Sequence, residues 1–144
     1  MDWRPGLSKK DVQWWKWDAA LLVRGSVPEG ARIVLQWRPA VGSASDKMNL
    51  TLLFREQRIY GIDFDDVGRH TNKIGAGRPY HRKMITTPAH EHTWSEEGYG
   101  YAEPLGPTSG LPADLFGIFC NKTNLTVDGG FLPPPSQQLT LGLI

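Results

Sequence analysis

His90 and His92 stand two residues apart in the stretch Thr87 to Leu105, T-P-A-H-E-H-T-W-S-E-E-G-Y-G-Y-A-E-P-L, which holds two of the chain's four histidines and four of its glutamates. Alternate residues of an extended strand point to one face, so His90, His92 and Trp94 share a face while Glu91 and Thr93 take the other. Imidazoles so placed can move a proton or ligate a cation, and nearby glutamates such as Glu97 can orient a ring. His70 and Asn72, in R-H-T-N at 69–72, add groups of the same kind. In acid–base cleavage of RNA one histidine takes the 2′-hydroxyl proton, another protonates the leaving oxygen, and an Arg or Lys stabilises the phosphorane. On that reading His70, His90, His92 and Glu97 form the catalytic set, with no metal and no cofactor. A zinc-bound alternative needs a third ligand from His70, His81, Glu96, Glu103 or an aspartate in Asp63–Asp66, because catalytic zinc keeps three protein ligands and one open position.

A substrate for such chemistry is suggested by the stretch from Arg69 to Lys83, which has five Lys or Arg, two His and no acid. Its glycines and Pro79 read as a long loop, and loops of this length in compact domains are usually binding or acting segments. Arg69, Asn72, Lys73, Arg78, His81, Arg82 and Lys83 are therefore the expected nucleic-acid-binding residues; the plainer alternative is a solvated loop. The opening of the chain interleaves Trp3, Trp14, Trp15 and Trp17 with Arg4, Lys9, Lys10 and Lys16, and Ser8 can cap a turn over Lys9 to Gln13. These indoles either lid the core or, as Trp3, Trp14 and Trp15, anchor a partner.

The elements that must position these groups read as follows. The 144 residues suit one domain, 1–144, and a net charge of +1 with 40% apolar residues gives no global pull toward nucleic acid or membrane. After an N-terminal segment at 1–16, alternating apolar residues over 17–65 predict a four-stranded antiparallel meander. A basic loop at 66–86 leads to a His/Glu hairpin at 87–105. Leu115, Phe116, Ile118 and Phe119 then recur at helical spacing, with Asp114 in the favourable first turn, and predict a helix over 112–122. The tail, 126–144, ends in Q-Q-L-T-L-G-L-I, a terminal strand. The expected class is α+β: a strongly curved, barrel-like antiparallel sheet of five to seven strands with one short helix packed on it. Cys120 is the single cysteine, so no internal disulfide forms, and it reads as a small buried apolar residue. With no apolar run long enough for a bilayer and no secretory start, the expected location is cytoplasmic.

R-H-T-N at 69–72, P-A-H-E-H-T-W at 88–94, E-G-Y-G-Y-A-E-P-L at 97–105 and D-L-F-G-I-F at 114–119 together resemble a family of small bacterial proteins known only as a domain of unknown function. The resemblance spans about residues 62–125 and implies a compact α+β domain of bacterial, phage or mobile-element origin, with His70, Asn72, His90, His92 and Glu97 as its distinctive positions. His90-x-His92 and Glu96 are also similar to the metal-binding core of cupins. That family's flanking glycines are replaced here by Met84 and Glu103, and no histidine follows His92. Three functions remain as expectations: an RNase-like protein that binds or cleaves nucleic acid; a non-enzymatic antidefence inhibitor, anti-CRISPR-like, that blocks a protein or nucleoprotein partner; and a cupin-like metal-binding domain.

Overall fold

The computed structural model describes residues 1–6, 13–40, 46–66 and 68–135. The expected terminal strand at 137–144, and all of the Ser8–Gln13 turn except Gln13, lie outside them. In chain order the elements are β1 (Arg4–Pro5), β2 (Trp15–Ala20), β3 (Arg32–Arg38), β4 (Lys47–Phe54), β5 (Gln57–Asp65), β6 (His70–Thr71), β7 (Met84–Ile85), β8 (Ala89–Ser95), β9 (Gly98–Pro104) and α1 (Pro112–Thr123). Seven strands form one antiparallel sheet in the order β1-β2-β3-β4-β5-β8-β9, and β6 pairs with β7 in a separate ribbon.

The sheet has two unlike faces because its strands alternate in phase. In β3, Ile33, Leu35 and Trp37 are buried while Arg32 and Gln36 are exposed. Register sets them beside Leu52, Leu50 and Met48 of β4, and these beside Tyr60, Ile62 and Phe64 of β5. A one-residue slip would turn that whole set to water. Helix α1 covers this face with Leu115, Phe116 and Phe119. Trp3 and Phe131 close one end against Trp37, with ring centroids 6.2–6.4 Å apart. Each such side chain, fully buried, stabilises the fold by about 1.5–3 kcal/mol.

Pro112 opens α1, where its missing N–H costs nothing. The Asp114 carboxylate accepts bonds from the Thr108 hydroxyl and from the Ser109 N–H and hydroxyl, tying the linker to the first turn. Asn124 ends the helix in the left-handed conformation, and the Leu125 N–H reaches back to the Cys120 carbonyl. Cys120 is half-buried against the core, and burial pushes its thiol pKa up.

The antiparallel sheet and single helix are as expected, but the strong curvature is not: the sheet is open, with β1 and β9 at opposite edges. Closure would need those two strands to pair. β1 is two residues long, and the free edge of β9 is already taken. There Asn72 donates to the Ala102 carbonyl and accepts from the Ala102 N–H, both at 2.8 Å. A side-chain amide thus supplies what a neighbouring strand would supply, one way of blunting an edge. Among the described residues no helix is long and apolar enough to cross a membrane.

Candidate metal centre

Cross-strand register assembles the site on the face opposite α1. One row runs Lys16, Gln36, Asn49, Asp63, His90, Pro104 across six strands; the next contains Thr51, Gly61, His92 and Ala102. Ile62, Ala89 and Glu91 face the helix side, so Asp63, His90 and His92 face away from it, as the alternation within 89–95 predicts. Asp63 Oδ2 lies 2.9 Å from His92 Nε2 and 4.0 Å from His90 Nε2. The β6–β7 ribbon adds His70, whose ring centroid is 5.0 Å from that of His92 and 5.9 Å from that of His90.

Burial makes the arrangement informative. His90 and His92 are only 7% and 9% exposed, and His90 Nδ1 and His92 Nε2 are buried without a hydrogen-bond partner. Although His92 Nε2 is within 2.9 Å of a carboxylate oxygen, it is not aligned to donate to it. An orphaned buried polar atom costs about 1–3 kcal/mol, and a cation seated among Asp63 and the two Nε2 atoms would satisfy that of His92. One ligand atom from each of Asp63, His90 and His92 lies within 4.8 Å of the others. Bonds of about 2.0–2.2 Å around a tetrahedral ion put ligand atoms about 3.3 Å apart, a spacing that the 2.9 and 4.0 Å separations bracket.

The protonation states suit a donor set. Burial, with His92 beside it, pushes the His90 pKa down to about 4. Burial and His92 also lower that of His70, against the opposing pull of its Asn72 hydrogen bond, the Gly100 carbonyl and Asp63. Burial works to raise the Asp63 carboxyl, but His92 first, then His90 and Arg58, hold it below its ordinary range. Near pH 7 the cluster therefore offers a carboxylate and neutral imidazoles at His70 and His90, which suits a cation more than an anion. Asn49, with its amide nitrogen toward the carboxylate, donates to Asp63 Oδ1 and to the Met48 carbonyl, each at 3.1 Å. That contact orients the carboxylate as the outer partners of metal ligands do.

A bulge completes the surround. Thr93 pairs with Tyr101 but Trp94 with Tyr99, so Gly100 is an extra residue in β9, at φ 113°. The bulge turns Tyr99 onto the histidine face, 6.3 Å from the His92 ring. Its half-buried phenol is pushed up to about 12 by burial, with Arg58 and Asp63 acting in opposite directions.

Comparison of the chain with protein-family models, with curated proteins and with solved structures returns no match.

Of the residues singled out in the sequence, His70, His90 and His92 do come together. Glu97 does not join them: it lies at the β8–β9 turn, where its carboxylate accepts the Ala76 N–H at 2.7 Å. Asn72 is 1% exposed and its amide is spent on the β9 edge, the Tyr80 carbonyl and His70, so it is a structural clasp, not a nucleic-acid contact. Arg78 lies over the Tyr101 ring at 4.9 Å and donates to the Trp94 carbonyl. Lys73, Arg82 and Lys83 are exposed, and His81 is half-buried in the same strap; none of them lines the histidine cleft. Arg69 does line it, beside His70. Trp3 is buried in the core, which removes it as an interface anchor, and Trp15 packs against that core; Trp14 alone of the three reaches the histidine cleft. Asp63 was one of several aspartates open as a third ligand, and only its pairing with His90 singles it out. The supporting roles of Asn49 and Tyr99 had no sequence signature, since each depends on register.

Proposed function

We propose that the protein is a metal-dependent hydrolase that holds zinc or a neighbouring first-row divalent ion on Asp63, His90 and His92. One observation carries this: the buried, unpartnered Nε2 of His92 sits in a cluster where one ligand atom from each of Asp63, His90 and His92 lies within 4.8 Å of the others. Mixed nitrogen and oxygen donors suit such ions better than magnesium or calcium. When bound, the ion would supply a water acidified toward neutral pH. The chain's own groups account for the rest. Asn49 holds the carboxylate in place. His70, next to the ligands and largely unprotonated near neutral pH, is positioned to accept the proton. Arg69, at the same cleft, favours an anionic substrate.

The test is calorimetric titration of chelator-treated protein with Zn²⁺, Mn²⁺ and Co²⁺, paired with hydrolysis of an activated phosphodiester. One equivalent should bind, Asp63→Asn, His90→Gln and His92→Gln should each weaken binding at least tenfold, and chelator should abolish turnover. Wild-type protein that binds no stoichiometric ion would overturn the proposal. Turnover that survives chelation would instead favour the metal-free acid–base scheme.

A further inference from the structure

We infer that the substrate is a single-stranded nucleic acid lying across the helix-free face of the sheet, with a base on Trp14 and a phosphate at the Asp63/His90/His92 centre. This rests on the hydrolase reading and adds the substrate class. Two clefts open on that face, one of about 650 Å³ and one of about 360 Å³. They share Trp14 and Asn49, so they are one continuous trough. The larger part is lined by Trp14, Trp15, Lys16 and Gln36, with the Trp15 ring itself packed toward the core; the smaller holds Arg69, His70 and the three ligands.

The lining chemistry selects the occupant. The trough's two aspartates are both engaged, Asp63 with the histidines and Asp65 with Lys47 at 2.8 Å. Lys16 and Arg69 have no ion-pair partner among the described residues, so uncompensated positive charge remains at both ends of the trough. An aromatic wall between cations is how proteins hold unpaired bases on a charged backbone, the stacking contributing sequence-tolerant affinity. The guanidinium of Arg38 lies 5.8 Å from the Trp14 ring centroid and adds charge at the platform. Gln36, exposed beside it, presents an amide that can meet a base edge. Lys16 on β2 and Asp63 on β5 are three strand spacings apart, about 14 Å, so nucleotides two apart along an extended single strand can occupy the stacking and hydrolytic ends together. A duplex keeps its base faces stacked internally and cannot use Trp14 in this way.

The experiment uses zinc-loaded protein and fluorescence anisotropy with labelled 12-mers: oligo-U, oligo-dT and a duplex of mixed sequence. Single strands should bind more tightly than the duplex; comparing oligo-U with oligo-dT tells RNA from DNA. Trp14→Ala should weaken binding about tenfold and Trp14→Phe should largely retain it. Lys16→Ala and Arg69→Ala should each reduce the salt slope by about one. The cobalt absorption spectrum of the Trp14 and Lys16 variants should match wild type, which shows the fold and the centre intact. Equal binding of duplex, undiminished binding by Trp14→Ala with an intact cobalt spectrum, or no binding at low salt would overturn the inference and leave the metal centre standing. If instead wild type binds no metal, yet its binding of oligonucleotides still depends on Trp14, the trough stands and the hydrolase reading falls.

Discussion

His90 carries two opposed demands, since it is buried as a neutral ring in a protein whose unfolded chain would leave it free to protonate. Its folded pKa of about 4 lies below the ordinary 6.5. Between those values the unfolded chain binds more protons than the native state, so stability is complete above pH 6.5 and declines as pH falls toward 4, by at most about 3 kcal/mol. His70 is shifted in the same direction and adds to the effect. Denaturation of metal-free protein at pH 7 and pH 4.5 should show the lower midpoint at 4.5, and His90→Gln should flatten the difference. Equal midpoints in wild type would show that the ring is not held neutral.

At the scale of elements, the strap from His70 to Ile85 wraps the edge of β9 through Asn72. Its Oδ1 receives the Ala102 N–H and its Nδ2 serves the Ala102 and Tyr80 carbonyls, while the Arg82 N–H bonds the Asn72 carbonyl. Gly75 follows at φ 92°, where a Cβ would fall 2.3 Å from the Tyr101 ring, so the strap can lie flat on that ring only without a side chain there. Asn72→Ala removes the amide and orphans buried backbone groups at 1–3 kcal/mol each, so a loss of about 2–4 kcal/mol is expected. Because His70 rides on the same ribbon, the change should also speed amide exchange at Ala102 and slow turnover more than it weakens metal binding. Unchanged exchange at Ala102 would refute the clasp.

For the molecule as a whole, an ion on β5 and β8 ties two strands whose opposite face carries the core, so binding should stabilise the sheet as a unit. At a free concentration one hundred times Kd the gain is about 2.7 kcal/mol, a rise in Tm of roughly 5–10 °C, absent in Asp63→Asn; no shift in wild type would mean that no such ion binds the native state. How much of this was legible beforehand follows from the range of each interaction. Alternation in I-V-L-Q-W and in A-H-E-H-T-W is a local property of an extended chain, so strand identity and the shared face of His90, His92 and Trp94 were readable from the sequence, as was α1 from its apolar spacing and Asp114. Glu97 was grouped with the histidines through nearness in sequence, but a strand carries side chains away along its length, and the turn left Glu97 beside Ala76. Trp3 reads from the sequence either as a lid on the core or as an anchor for a partner, and the pairing of Arg4–Pro5 with β2 goes with its burial in the core. Closure of the sheet, capture of the β9 edge by Asn72, and the meeting of Asn49, Asp63 and His90 in one row depend on register between strands distant in the chain. Register is set by packing Ile62 and Ala89 with the rest of the core beneath α1, a sum over the whole molecule that no local stretch contains, and so the tertiary structure alone decided which aspartate faces the histidines.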